Sequence, residues 1–79
     1  MNIQNEYTTT DFYLTCYLLS SGLRLAGTQK ENPRKTIFVL KDSPKRQKLI
    51  QDFYAGKAKV NPLVFKNWIT DLKTVLYND

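Results

Sequence analysis

Between Lys30 and Lys48 the chain places seven cations, Lys30, Arg34, Lys35, Lys41, Lys45, Arg46 and Lys48, against only Glu31 and Asp42. Phosphate is the natural counterpart of such a run, because clustered cations raise the local potential and displace counterions from a polyanion. Lys57 and Lys59 add to the patch if their loop lies alongside. All twelve Lys and Arg residues stand at or after Arg24, whereas the earlier positions carry only Glu6 and Asp11 as charges. The chain thereby divides into an apolar packing half and a basic contact half. Basicity alone identifies no recognition element, and a formal charge of +5 also serves solubility. The sequence names no reaction and no ligand.

Catalytic chemistry has less material to work with. The chain has no His, so the usual neutral-pH base and the commonest metal ligand are missing. A single Cys without a His partner argues against thiol catalysis, and no Cys pair or dense carboxylate cluster suggests a metal site. Gly22, Gly27 and Gly56 stand too far apart for a phosphate-cradling loop. Asp11 and Asp42 fall near expected helix starts, where a carboxylate has a local structural use. The expectation is a protein that is not an enzyme, with no catalytic residues, no metal and no cofactor.

The elements that would carry these residues follow from caps and periodicity. Thr9 or Thr10 can cap a helix over about 11–21, with Asp11 at its positive end and Gly22 after its last turn. Phe12, Tyr13, Leu14, Cys16, Tyr17, Leu18 and Leu19 spread almost all the way round that helix, so it must be covered on more than one side. Stretches 23–30 and 35–41 favour strands, and Glu31 to Arg34 make a hairpin turn between them. The continuous apolar run from Ile37 to Leu40 implies cover on both faces or an unidentified neighbour at the strand edge. Ser43 and Pro44 signal a second helix reaching about Ala55, and Asn61 and Pro62 a third. In the second, Leu49, Ile50, Phe53 and Tyr54 make an apolar face; in the third, Phe65, Trp68, Ile69, Leu72, Val75 and Leu76 do so.

These spacings predict an α+β fold in a single domain over residues 1–79, with the order helix, strand, strand, helix, helix and a two-stranded antiparallel hairpin packed by the helices. A chain this short supports one hydrophobic core. It is 42% hydrophobic and so has more to bury than a disordered segment. Cys16 reads as a small buried apolar residue in a reducing cytosol. The apolar run at 12–19 is too short for a membrane span or a usual signal sequence, so a cytoplasmic protein with no membrane contact is expected.

Tyr7 with Thr8 to Thr10, then Asp11, Tyr13, Leu14 and Leu18 to Gly22, resemble the pattern of a small domain of unknown function found in bacterial and phage proteins. Phe38 and Asp42, the segment Phe53, Tyr54 and Gly56, and Val60, Pro62, Phe65, Leu72, Lys73 and Tyr77 continue the likeness over nearly the whole chain. These are core, cap and turn residues, so the resemblance speaks to fold and implies no particular mechanism. It implies short free-standing proteins in mobile-element settings.

Two readings remain. In the first, a small basic accessory or regulatory protein engages DNA, RNA or a nucleoprotein complex through the hairpin and second helix, using Lys30, Arg34, Lys35, Lys45, Arg46, Lys48, Lys57 and Lys59. Lys66, Thr70, Lys73 and Tyr77 form a second line along the third helix, open to a backbone and a base or simply to solvent. The second reading is a protein-interaction or inhibitor module, acting on a larger nucleic-acid-processing protein or as a homodimer. It would use the first helix, where Tyr13 and Tyr17 make an aromatic patch unless the domain covers them itself.

Overall fold

The computed structural model describes residues 5–77. The chain forms β1 (Glu6–Thr9), α1 (Phe12–Ser20), β2 (Arg24–Asn32), β3 (Lys35–Lys41), α2 (Arg46–Tyr54) and α3 (Pro62–Tyr77). The strands make one antiparallel sheet in the order β1-β3-β2. The fold is α+β, but the expected two-stranded hairpin is a three-stranded sheet. Its added strand answers the question posed by Ile37 to Leu40: β3 lies in the middle, with β1 as its second neighbour. Four residues are too few for alternation to declare a strand, and the Thr residues there also suit a helix cap.

Thr9 does serve the start of α1, though not as its cap. Its hydroxyl accepts the Asp11 N–H at 3.1 Å, and Asp11 Oδ1 in turn accepts the Leu14 N–H at 3.0 Å. Asp11 is therefore the N-cap. From Leu14 to Leu19 every residue of α1 is buried, as an apolar circumference requires. Thr15, the polar member, donates its hydroxyl to the Asp11 carbonyl at 2.8 Å.

Alternation along the sheet places Phe38 and Leu40 toward α1, together with Tyr7 and Leu25. Leu72 of α3 and the half-buried Leu49, Ile50 and Phe53 of α2 complete the cover. All six elements thus contribute to one core built around α1. The opposite sheet face carries Val39, which lines a shallow cleft with Glu6, Ala26, Gly27, Thr28 and Gln29.

The second helix begins two residues later than the Ser43–Pro44 signal suggests. The Arg46 N–H donates to the Ser43 carbonyl at 3.0 Å, closing a turn ahead of the helix, while Asp42 Oδ1 accepts the Ser43 N–H at 2.8 Å. Lys45 then occupies the N-cap without a side-chain capping bond. Asn61 does cap α3, its Oδ1 accepting from the Leu63 and Val64 N–H groups at 2.9 and 3.2 Å. On that helix Val75 stays exposed despite its place in the apolar spacing. Among the described residues no helix is long and apolar enough to cross a membrane.

Gly22 turns the chain from α1 into β2 with φ of 105°, a conformation that side-chain-bearing residues rarely adopt, and a Cβ there would meet Lys45 Nζ at 3.1 Å. Gly27, inside β2, has ordinary φ and open space where a Cβ would go. Gly22→Ala is expected to lower the unfolding free energy by about 1–2 kcal/mol. Gly27→Ala should leave it within about 0.5 kcal/mol. Urea unfolding monitored by Trp68 fluorescence checks both, and equal effects would contradict the assigned backbone geometry.

Candidate nucleic-acid interface

Register divides the basic residues into two sets at opposite ends of β3. β1 pairs only with Phe38 to Lys41, from Thr9↔Phe38 to Glu6↔Lys41. Beyond Phe38, β2 and β3 continue alone, from Gln29↔Ile37 through Lys30↔Thr36 to Asn32↔Lys35. This two-stranded ribbon projects past the end of β1 by about 10 Å of strand rise before its turn. Asn32 Oδ1 accepts the Arg34 N–H at 2.9 Å and closes the tip. Lys30, Arg34 and Lys35 are all exposed on this arm. Strand alternation puts Lys30 and Lys35 on opposite faces of the ribbon, with Arg34 in the turn. Glu31 is the arm's only acid, and it meets Lys35 Nζ at 3.1 Å in a pair half open to solvent.

Lys45, Arg46 and Lys48 sit elsewhere, because α2 starts beside the far end of β3 and runs antiparallel to α1. Its start is fixed by Lys45 Nζ donating to the Ser21 carbonyl at the end of α1, 2.8 Å away. Its other end is fixed by the Tyr54 hydroxyl donating to Asp11 Oδ2 at 2.7 Å. The expected single phosphate-facing run through the hairpin and the start of the second helix is thus corrected: the length of β3, about 20 Å, separates the two groups. Lys57 and Lys59 follow the end of α2, so they are exposed at the end of the domain from which the arm projects.

The α2 cations also have partners inside the fold. The Arg46 guanidinium makes a bidentate contact with Asp42, at 3.0 and 3.1 Å, and lies 4.5 Å from the Tyr7 ring centre. Guanidinium hydrogen bonding, then the Ser43 N–H, holds the Asp42 carboxyl below its usual range, while the same pair raises Arg46. Lys48 pairs with Asp52 at 3.4 Å. Lys45 supplies a cation to the negative end of α1, whose own last turn has no basic residue. Among the described residues, Lys30, Arg34, Lys57 and Lys59 make no ion pair.

The aromatic expectations divide as well. Tyr17 is only 3% exposed and stacks on Phe53 at 5.5 Å, so it belongs to the core and not to an interface. Phe53 reaches it because α2 lies along α1. Tyr13 remains exposed, edge-on to Phe12 at 5.2 Å. Tyr54, expected on an apolar face, is 64% exposed, since α2 ends there against the polar N-cap of α1. Its hydroxyl is raised in pKa by the hydrogen bond to Asp11. Lys66, Thr70, Lys73 and Tyr77 form an exposed line on α3, with the Thr70 hydroxyl donating to the Lys66 carbonyl at 3.3 Å.

Asp11 and Asp42, which the sequence sets near helix starts, are thus a helix cap and a guanidinium partner. Burial pushes the Cys16 thiol up to about 11, leaving it protonated and inert at neutral pH. Among the described residues no three or more His, Cys, Asp or Glu side chains cluster to hold a metal. What the sequence did not disclose is the arm's projection, because that depends on where the short β1 stops.

Together these features define a small α+β domain carrying a basic β-ribbon arm. The chain belongs to the family DUF5659, a domain of unknown function, whose model matches residues 4–78. No curated protein and no solved structure matches it.

Asp42 provides a check on the division of the cations. Its lowered pKa means that the Arg46 contact contributes in full above the ordinary carboxylate value of about 4 and is lost as pH falls through the folded value. Asp42→Asn should therefore reduce stability at pH 7 by about 1 kcal/mol, with the gap to wild type narrowing at pH 3. Denaturant midpoints at the two pH values measure this, and a pH-independent gap would remove the assigned role.

Proposed function

We propose that the protein is a small basic accessory or regulatory protein that binds nucleic acid, alone or in a nucleoprotein complex, and acts by binding and not by catalysis. The observation that carries this reading is the projecting arm, which offers Lys30, Arg34 and Lys35 clear of the domain body. Lys30 and Arg34, which make no ion pair among the described residues, keep their full field for a polyanion, whereas Lys35 shares its charge with Glu31. Lys57 and Lys59, exposed at the same end, extend the contact from the arm to its root. Lys45 and Arg46 act chiefly by holding the start of α2 against α1 and β1, and so support the interface indirectly, while Lys48 pairs with Asp52 on its own helix. The resemblance to bacterial and phage proteins accords with a cytoplasmic role in a mobile-element setting.

Tyr17 lies in the core, which withdraws much of the support for partner binding through α1. Nucleic acid is therefore the better reading of the exposed surface.

A mixed pool of DNA and RNA should be retained at low salt and released steeply as salt rises. With up to five arm-end cations meeting phosphates, the slope of log K against log salt is expected near −3 to −4. The joint change Lys30→Ala, Arg34→Ala and Lys35→Ala should weaken retention and flatten that slope by about 2. Thermal unfolding of the variant should match wild type, because all three side chains are exposed. Failure to retain any nucleic acid at low salt, or full retention by the folded variant, would overturn the proposal.

A further inference from the structure

We infer that the arm's ligand is double-stranded DNA, entered tip-first through the major groove; this rests on the nucleic-acid reading above. The argument is one of shape. The segment Gln29 to Ile37 is a two-stranded ribbon that stands clear of β1. A B-form major groove, about 12 Å wide and about 8.5 Å deep, admits such a ribbon. The projection of about 10 Å lets the turn reach the base edges while β1 and the helices stay outside the groove.

Side-chain placement follows the same geometry. Arg34, in the turn, leads into the groove, where a guanidinium can donate two hydrogen bonds to O6 and N7 of guanine. Lys30 and Lys35, on opposite faces of the ribbon, are set toward phosphates on the two walls. Lys57 and Lys59, at the root, stand outside the groove near backbone phosphates. Glu31 is the arm's one unfavourable charge, and its pairing with Lys35 screens it.

Other nucleic acids suit the arm less. The major groove of A-form RNA is too narrow and deep for side chains to read. Single strands are held on aromatic platforms, and no Phe, Tyr or Trp lies between Gln29 and Ile37. The exposed aromatic rings, Tyr13, Tyr54 and Tyr77, belong to helices.

Fluorescence anisotropy with the full chain, using labelled 20-base-pair random-sequence duplex DNA, the corresponding duplex RNA and single-stranded DNA, tests this. Duplex DNA should bind about tenfold more tightly than either alternative. Replacing guanine by 7-deazaguanine, which removes the N7 acceptor, should weaken wild-type binding severalfold. Arg34→Ala, checked for an unchanged melting curve, should bind less tightly and be indifferent to that replacement. Equal or tighter binding to duplex RNA or to single strands would overturn the duplex-DNA assignment while leaving nucleic-acid binding in place. So would a wild-type protein insensitive to 7-deazaguanine. Absence of binding to all three probes would remove both proposals.

Discussion

The fold is organised by the need to cover α1. Six successive residues, Leu14 to Leu19, are removed from water in a helix of nine, and no single layer can do that. The sheet supplies Phe38 and Leu40, α3 supplies Leu72, and α2 brings Phe53 against Tyr17. Each buried Leu contributes on the order of 2 kcal/mol, so a small domain gains much of its stability by centring on this element. Because α1 has little polar circumference, its hydrogen-bonding needs are met at its ends. Asp11 serves one end and Lys45 the other. The helix that provides Lys45 also sends the Tyr54 hydroxyl back to Asp11, so α2 holds α1 at both termini.

That arrangement explains why the cations are unequal. Arg46 bridges Asp42 and the Tyr7 ring, linking α2 to the edge strand β1. It and Lys45 are positioned by what they hold together. The arm residues face no such demand: Lys30 and Arg34 make no ion pair among the described residues, and the ribbon that carries them has no third strand beside it. Electrostatic surface therefore accumulates where the core ends.

Much of this architecture was readable from residues, and the exceptions have specific causes. The third helix, with Asn61 capping it and Leu72 on its inner face, was evident because its periodic run is long. The strand preference of 35–41 matches β3, and of the two explanations open for its apolar run, cover on both faces or a further neighbour, β1 supplies the neighbour. β1 escapes local reading because a strand of four residues depends on pairing with β3, 29 to 35 residues away, and pairing leaves no local trace. The start of α2 shifted because Pro44 fits a turn as well as a first helical position. Tyr17 and Tyr13 share one helix face by spacing, so only the arrival of Phe53 distinguishes the buried ring from the exposed one. The cations were legible as a run, but the sequence brought together groups that the length of β3 keeps apart.

The placement of β3 between its neighbours also bears on aggregation. Its Ile37-Phe38-Val39-Leu40 core is the kind of segment that nucleates cross-β association when its edge is bare. From Phe38 to Leu40 both of its edges are occupied, and the strands that occupy them make poor templates: β1 is short and begins with Glu6, while β2 slips register between Leu25 and Gly27 and again between Lys30 and Asn32. Such irregularities interrupt the hydrogen-bonding row that an incoming chain would need. The most adhesive stretch of the sheet is thus enclosed by two gatekeepers, even though two of its strands run on together into solvent.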